Sequence, residues 1–183
     1  MDSGWHRISK ETVFKTSIFN LLREDSRNLR TGAEQSFFYF ECIDWINVVA
    51  ITTENEIILI EQYRHGSDRI ELEIPGGGLD PADPDPVFGG ARELMEETGY
   101  QGEDGRIIGQ VCPNPAIQGN TCYTVLFENC KKISEPQMEE TESINTVLLP
   151  LDQLDHLIDS GKIRHGLVLN ALSFYERSLR EAE

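Results

Sequence analysis

The sequence has few cations, and its acidic excess limits what the protein can bind. Its 183 residues carry 16 Lys and Arg against 32 Asp and Glu, a formal net charge of −16 at pH 7. Binding to a nucleic acid backbone or an anionic membrane needs clustered Lys and Arg, so neither is expected as a partner. A small anionic substrate would also be repelled unless metal ions screened its site, although an acidic soluble surface explains the same charge.

Long apolar runs and paired cysteines are also missing. No stretch reaches the roughly 18 apolar residues of a membrane-spanning helix, and no apolar segment follows a basic N-terminus, so we expect no secretory signal. The four cysteines, Cys42, Cys112, Cys122 and Cys130, lack metal-ligand spacing, and three of them lie in apolar, strand-like runs. This pattern is typical of reduced core thiols in a cytoplasmic protein. The 39% of apolar residues is enough for one core of ordinary size.

The most informative stretch is residues 74–100, IPGGGLDPADPDPVFGGARELMEETGY. It places Glu93, Glu96 and Glu97 at spacings of three and four residues, which is one face of a helix. Like charges at these spacings destabilise a helix by roughly 0.2–0.5 kcal/mol per pair, and only Arg92 lies close enough to relieve them. A hard divalent cation such as Mg²⁺ is the natural neutralising group, because it binds one or two carboxylates together with substrate phosphate oxygens.

Both ends of this acidic helix are marked in the sequence. Asp85 before Pro86 predicts an N-cap followed by proline at the first helical position, and Gly99 predicts a left-handed residue after the last turn. The helix is therefore expected over residues 86–98. The glycine pair at 89–90 costs roughly 1 kcal/mol per residue relative to alanine, which indicates a close approach of the helix backbone to the neighbouring sheet or loop.

With these residues identified, segment 78–100 resembles the Nudix box. The matching positions are Gly78, Arg92, Glu93, Leu94, Glu96, Glu97 and Gly99. One position departs, because Pro84 stands where the family has a glutamate that pairs with the box arginine. Asp83 and Asp85 are the candidates to pair with Arg92 instead. An acidic helix taken alone is more often a solvated face, but the glycine run, the caps and the spacing together favour the Nudix interpretation.

The resemblance covers residues 37–175 and implies an α/β fold, the Nudix α/β/α sandwich around a mixed sheet. Strand candidates at 12–23 and 36–42 predict an N-terminal antiparallel β-ribbon over residues 1–44, followed by a Nudix hydrolase domain over residues 45–183. A two-stranded ribbon is marginal alone. In Nudix enzymes resembling the ADP-ribose pyrophosphatases such a ribbon helps form the dimer, so a homodimer is implied. Further strands are expected at 46–51, 56–63, 70–74, 106–112, 122–128 and 144–149, with helices after 150 and over 167–179.

Outside the box, the resemblance suggests three substrate contacts. Arg64 lies at a strand end similar to that of nucleoside diphosphate sugar hydrolases, and a guanidinium can bind phosphate oxygens through two nitrogens; an exposed loop arginine is the alternative. Glu73 would hydrogen-bond the ligand or a metal-bound water, or is simply a buried strand-end carboxylate. Pro115 stands where Nudix enzymes acting on ADP-ribose have a proline after the box, or only directs a loop.

An acidic segment at residues 134–146 resembles the mobile loop that supplies the general base in ADP-ribose pyrophosphatases. Either Glu140 or Glu142 would orient the attacking water or add a metal ligand. A solvated acidic loop is the ordinary alternative.

Taken together, the resemblance implies Mg²⁺-dependent hydrolysis of a nucleoside diphosphate sugar to a nucleoside monophosphate and a sugar phosphate, with Mn²⁺ as a substitute ion. Glu93, Glu97 and the Gly77 carbonyl would hold the metal, and Glu96 would ligate a second ion or polarise water. Two alternatives remain: a Nudix nucleoside triphosphate pyrophosphatase, and a catalytically silent nucleotide-binding Nudix module, which the loss of the box glutamate at Pro84 would explain.

Overall fold

The computed structural model describes residues 4–138 and 143–181. The chain divides into two compact units, one formed by Met1–Asp44 with Cys112–Thr121 and the other by Trp45–Val111 with Cys122–Glu183. Within the described ranges, none of the helices has the length and apolar character needed to cross a bilayer.

The first unit contains an antiparallel sheet of three strands, β1 (Trp5–Lys15), β2 (Phe19–Asn28) and β3 (Glu34–Cys42). The prediction of one strand over residues 12–23 is wrong, because the chain turns at Thr16. The Thr16 hydroxyl accepts hydrogen bonds from the backbone N–H groups of Ile18 and Phe19, which ends β1 and starts β2. The N-terminal ribbon therefore has three strands rather than two.

The second unit is built on a mixed sheet. Its strands are β4 (Trp45–Thr52), β5 (Glu56–Arg64), β6 (Arg69–Glu73), β7 (Gly76–Gly78), β8 (Tyr100–Val111), β9 (Cys122–Lys132) and β10 (Ile144–Pro150). In the described part of the chain they follow the order β10-β5-β4-β9-β8, with β6 paired to β5 and β7 paired to β4. The β4–β9 pair is parallel and the other pairs are antiparallel. The predicted strands are all present, although β8 starts at Tyr100, directly after the preceding helix, rather than at residue 106.

Helices cover both faces of this sheet. They are α1 (Pro86–Thr98), α2 (Leu154–Asp159), which follows a 3₁₀ turn at Leu151–Gln153, and α3 (Gly166–Glu181). Alternate residues of a strand point to opposite faces, and β4 uses both. Ile46 and Val48 pack in one core cluster with Leu94 of α1, whereas Val49 packs with Leu172 of α3 in another. The predicted α/β/α sandwich around a mixed sheet is confirmed.

Helix α1 begins and ends where its sequence signals predict. The Asp85 side chain accepts a hydrogen bond from the Phe88 N–H, and Gly99 adopts a φ of 75°, with its N–H donated to the Met95 carbonyl. Both caps depend on residues next to the helix ends, so they could be recognised from the sequence alone.

The glycine pair inside α1 lets the helix lie close to β4. A Cβ on Gly89 would lie 2.5 Å from Cδ1 of Ile46, and a Cβ on Gly90 would lie 3.3 Å from Cγ2 of Val48. The close approach expected from the sequence is therefore present.

The expectation of core thiols holds for only two of the four cysteines. Cys122 and Cys130 are buried, whereas Cys42 is half-buried and Cys112 is exposed. Cys112 directly follows β8 and is the first residue of the segment that belongs to the first unit, so it is not part of a strand.

Candidate active site

Arg92, the box arginine, has carboxylate partners although Pro84 replaces the glutamate with which it pairs in the family. Arg92 contacts Asp83 through two nitrogens, with Nη2 3.0 Å from Oδ2 and Nε 3.3 Å from Oδ1. Its Nη1 lies 2.9 Å from Oε2 of Glu96, and its Nη2 lies 3.0 Å from Oε1 of Glu93 and 3.3 Å from the Gly78 carbonyl oxygen. Arg92 is therefore the centre of a network that joins α1 to the glycine run.

Asp83 takes the place of the box glutamate. Its side chain is only 3% exposed, and it also accepts a hydrogen bond from the Asp80 N–H at 3.0 Å. Hydrogen bonds from the Arg92 guanidinium lower the pKa of Asp83, and the same contacts raise the pKa of Arg92. Of the two aspartates considered from the sequence, Asp83 is the partner, while Asp85 caps the helix. The departure at Pro84 is thus compensated by its neighbour.

Two of the three box glutamates lie against the glycine run. Glu97 is 5% exposed, and its Oε2 accepts a hydrogen bond from the Gly76 N–H at 3.0 Å. The Glu93 carboxylate lies directly over Gly77, where an added Cβ would be 2.6 Å from Oε1. A side chain at position 77 would therefore displace the Glu93 carboxylate from this position.

The donor set fits a hard divalent cation. Among the described residues no three Asp, Glu, His or Cys side chains form a ready-made metal cluster. Mg²⁺ does not need one, because it binds through one or two carboxylates and fills its remaining positions with water and substrate phosphate. Glu93 and Glu97 both lie against the glycine run, so their carboxylates and the backbone carbonyl of Gly77 stay the predicted metal ligands. Glu96 is paired with Arg92, and its side chain is 44% exposed.

A cleft of about 300 Å³ opens beside β7. Its polar lining includes Asn47, Arg64, Glu73 and His165. Arg64 holds the Glu73 carboxylate through two nitrogens, with Nε 3.1 Å from Oε1 and Nη2 2.7 Å from Oε2. Two residues selected separately from the sequence therefore meet in one pair, next to the glycine strand.

Glu73 is a buried anion at this cleft, since its side chain is only 4% exposed. Burial raises the pKa of Glu73, but the nearby His165 imidazole and the hydrogen bonds from Arg64 outweigh this effect, and the pKa falls to about 2. At neutral pH the carboxylate is ionised and can hold the Arg64 guanidinium in place at the edge of the cleft.

Three of the predicted site residues are not tested by the described part of the structure. Pro115 belongs to the first unit, in a turn where the Asn114 carbonyl accepts from the N–H of Ile117 at 3.0 Å, and its substrate contact stays a prediction. Glu140 and Glu142 lie outside the described residues, so the general base stays a prediction as well.

The sequence analysis missed the contribution of the segment before α3. His165 lines the cleft, with Nδ1 3.4 Å from Oε1 of Glu73. Asn47, also unrecognised, donates from its side chain to the Leu167 carbonyl at 3.1 Å, which ties β4 to the first turn of α3. In the sequence, this segment was marked only by the adjacent basic residues Arg164 and His165, which are conspicuous in a chain with few cations.

Comparison with known proteins agrees with this geometry. The NUDIX domain model matches residues 45–172. The chain is 26% identical over 176 residues to the ADP-ribose pyrophosphatase of Bacillus subtilis (strain 168), covering 96% of this chain and 93% of that protein. It is 30% identical over 176 residues, with the same coverage of both, to the methanol dehydrogenase activator of Bacillus methanolicus.

A solved structure of an ADP compounds hydrolase superposes with a TM-score of 0.86 over 98% of this chain and 96% of that one. The two are 20% identical, so this likeness establishes the fold. The family model and the curated relatives, together with the box glutamates around the glycine run, establish that the chain belongs to the Nudix domain family and is a Nudix hydrolase.

Proposed function

We propose that the protein hydrolyses the diphosphate bond of nucleoside diphosphate sugars, with ADP-ribose as the first candidate substrate. The observation that carries the proposal is the position of the Arg64–Glu73 pair, in a cleft lined also by the glycine strand against which Glu93 and Glu97 lie. A cationic group for phosphate thus lies in the cleft, and the carboxylates for metal lie against the glycine strand that lines it. The names of the Bacillus subtilis relative and of the solved ADP compounds hydrolase point to the same substrate class.

Each residue would contribute through ordinary electrostatics. Glu93, Glu97 and the Gly77 carbonyl would hold Mg²⁺, or Mn²⁺ in its place; when bound, the ion neutralises phosphate charge and supplies an activated water. Arg64 would donate N–H groups to the diphosphate, held in position by Glu73. Arg92 and Asp83 would keep the end of the glycine run and the acidic face of α1 in register. Glu96 would ligate a second ion or polarise water.

The proton of the attacking water would pass to Glu140 or Glu142, as the resemblance implies. Support comes from the described residues just before them, because the Gln137 N–H donates to the Glu96 carbonyl at 2.7 Å. The described start of the acidic segment, up to residue 138, is therefore tethered to α1 beside the predicted metal ligands. Replacing Glu140 and Glu142 singly by Gln should identify the base, which would lower kcat without a matching loss of substrate affinity.

We also propose a homodimer formed through a domain of residues 1–44, with residues 45–183 as the hydrolase domain, in the cytoplasm. Support comes from the exposed apolar side chains of the three-stranded sheet, among them Ile8, Val13, Phe14 and Phe38, which are 48% to 60% exposed. Apolar side chains exposed in this density are typical of an association surface. Light scattering on the purified protein and on a Phe14→Asp variant would test the dimer, which the variant should weaken.

Product analysis at saturating Mg²⁺ tests the reaction itself. A panel of ADP-ribose, ADP-glucose, GDP-mannose, UDP-glucose, ATP and dGTP separates the possible activities. Release of a nucleoside monophosphate and a sugar phosphate from the nucleotide sugars is the expected result. Pyrophosphate release from ATP or dGTP in preference to hydrolysis of the nucleotide sugars would make the protein a triphosphate pyrophosphatase. No product from any compound of the panel would favour the binding-only module. The pairing of Arg92 with Asp83 removes the reason for suspecting the latter.

A further inference from the structure

One buried carboxylate of the cleft is shared by two basic side chains. Both oxygens of Glu73 accept from Arg64, and Nδ1 of His165 lies 3.4 Å from Oε1 of the same group. That distance is long for a hydrogen bond. Nδ1 is nevertheless enclosed and has no better partner among the described residues, so Glu73 is the group that this nitrogen faces.

The segment carrying His165 is held in place from both ends. Arg164 binds Glu71 through two nitrogens, and the His165 carbonyl accepts from the Leu169 N–H at 3.0 Å at the start of α3. Glu71 and Glu73 are alternate residues of β6, so their side chains leave the strand on the same side. The ion pair between Arg164 and Glu71 therefore places the imidazole of His165 next to Glu73.

This arrangement controls the orientation of the Arg64 guanidinium. A two-nitrogen contact holds a guanidinium in the plane of its carboxylate, so a rotation of the Glu73 carboxylate would turn Arg64 with it. Glu73 is buried, whereas the Arg64 side chain is 41% exposed, so the groups that contact the Glu73 carboxylate set the orientation of the pair. The buried Nδ1 of His165 is one of these groups.

We propose that His165 is a positioning residue that acts through Nδ1 on Glu73 and thereby keeps Arg64 oriented for the diphosphate of the substrate. The inference deepens the proposed function and rests on it. The rival role is a direct contact from Nε2 to the substrate, because the His165 side chain is 41% exposed and lines the cleft.

Two substitutions separate these roles by geometry. The amide nitrogen of an asparagine can occupy the position of Nδ1 but does not reach that of Nε2, whereas a glutamine amide reaches toward Nε2 and lacks the group at Nδ1. His165→Asn should therefore keep KM for ADP-ribose within about threefold of the wild type. His165→Gln and His165→Ala should raise KM about tenfold, with kcat within about twofold. This is the loss expected when a misoriented Arg64 no longer makes one hydrogen bond to the charged diphosphate. His156→Ala, at an exposed histidine of α2, is the matched control and should change neither constant.

Several outcomes would overturn the inference. Rescue by glutamine but not by asparagine would make His165 a direct substrate contact, and unchanged constants in all three variants would remove its role. A loss confined to kcat, or a lower melting temperature with unchanged KM, would also contradict positioning. If the alanine variant fails to fold, as thermal unfolding would reveal, the asparagine and glutamine pair still decides the question.

A coupled variant tests whether the effect passes through Arg64. Once Arg64→Ala has removed the oriented group, adding His165→Ala should cause no further rise in KM. Additive rises would mean that His165 acts independently of Arg64, contrary to the inference.

Failure of the proposed function can be recognised separately. If the wild type does not hydrolyse any nucleotide sugar, calorimetric binding of ADP-ribose without metal gives a second readout on the same variants. Tenfold weaker binding by the alanine and glutamine variants, with near wild-type binding by the asparagine variant, would then support the inference although the reaction had failed. Equal affinities, or no binding by the wild type, would overturn it.

Discussion

Removing the Asp83 side chain tests whether this residue replaces the missing box glutamate. Asp83 is 3% exposed at the side chain, and Arg92, its partner, is 28% exposed. Asp83 holds Arg92 through both carboxylate oxygens and also accepts from the Asp80 N–H. Asp83→Ala would remove all of these contacts from a largely buried site.

The expected loss in the free energy of unfolding depends on how many ion pairs Arg92 keeps in the Asp83→Ala variant. Breaking a buried ion pair by removing one partner costs roughly 3–5 kcal/mol. Arg92 would keep Glu93 and Glu96 and is partly exposed, so a loss of about 2–3 kcal/mol in the free energy of unfolding is expected. Asp85→Ala is the matched control, because it removes only the helix cap and should cost about 1 kcal/mol.

Urea unfolding of the two variants measures the difference directly. A loss in Asp83→Ala no larger than that in Asp85→Ala would refute the assignment of Asp83 as the partner of Arg92. The variant should also need more Mg²⁺ for half-maximal turnover, because Arg92 without Asp83 would pair more strongly with Glu93. Adding Pro84→Glu to Asp83→Ala should recover part of both losses, since it restores the family pattern.

Three further predictions follow from the site and its packing. Glu97→Gln should lower turnover at least about a hundredfold, which is a modest share of what a catalytic metal contributes. The circular dichroism spectrum should stay unchanged, and full activity would show that the metal assignment is wrong. Gly89→Ala places a Cβ 2.5 Å from Cδ1 of Ile46. The overpacking costs about 1–3 kcal/mol and is offset in part by the roughly 1 kcal/mol that alanine gains over glycine in a helix, so the free energy of unfolding should fall by up to about 2 kcal/mol. Gly119→Ala has no atom within 4 Å of its added Cβ and should stay within about 0.5 kcal/mol; a clear gain in stability by Gly89→Ala in urea would contradict the close packing of α1. The pKa of Glu73 lies near 2 in the folded protein, below its ordinary value of 4.5, so its contribution is present above pH 4.5 and is lost as the pH falls toward 2. Over that window the wild type should lose about 3 kcal/mol more stability than Glu73→Gln, and parallel pH curves for the two proteins would refute this contribution.

Helix α1 shows what local sequence could predict. Asp85, Pro86 and Gly99 set its ends, and the observed bounds are Pro86–Thr98. Caps and helical spacing involve residues within a turn of one another, so the acidic face and its glycines could be recognised without knowing the fold. The same reasoning failed at Thr16, because an apolar pattern that continues through a tight turn does not mark the turn.

The contacts of the candidate site depended on the fold. Arg164 and Glu71 are separated by 93 residues, and no spacing rule connects His165 to Glu73. The sequence named Asp83 and Asp85 as equal candidates, and only the path of the loop onto Arg92 separated them.

Local chemistry in the sequence thus specified the acidic helix, its glycine run and the family, since short-range spacing determines which side chains share a helix face. The pairing of Arg64 with Glu73, the approach of His165 and the choice of Asp83 came from strand register and helix docking. These bring together residues far apart in the chain, and such contacts exist only once the sheet and its helices have packed.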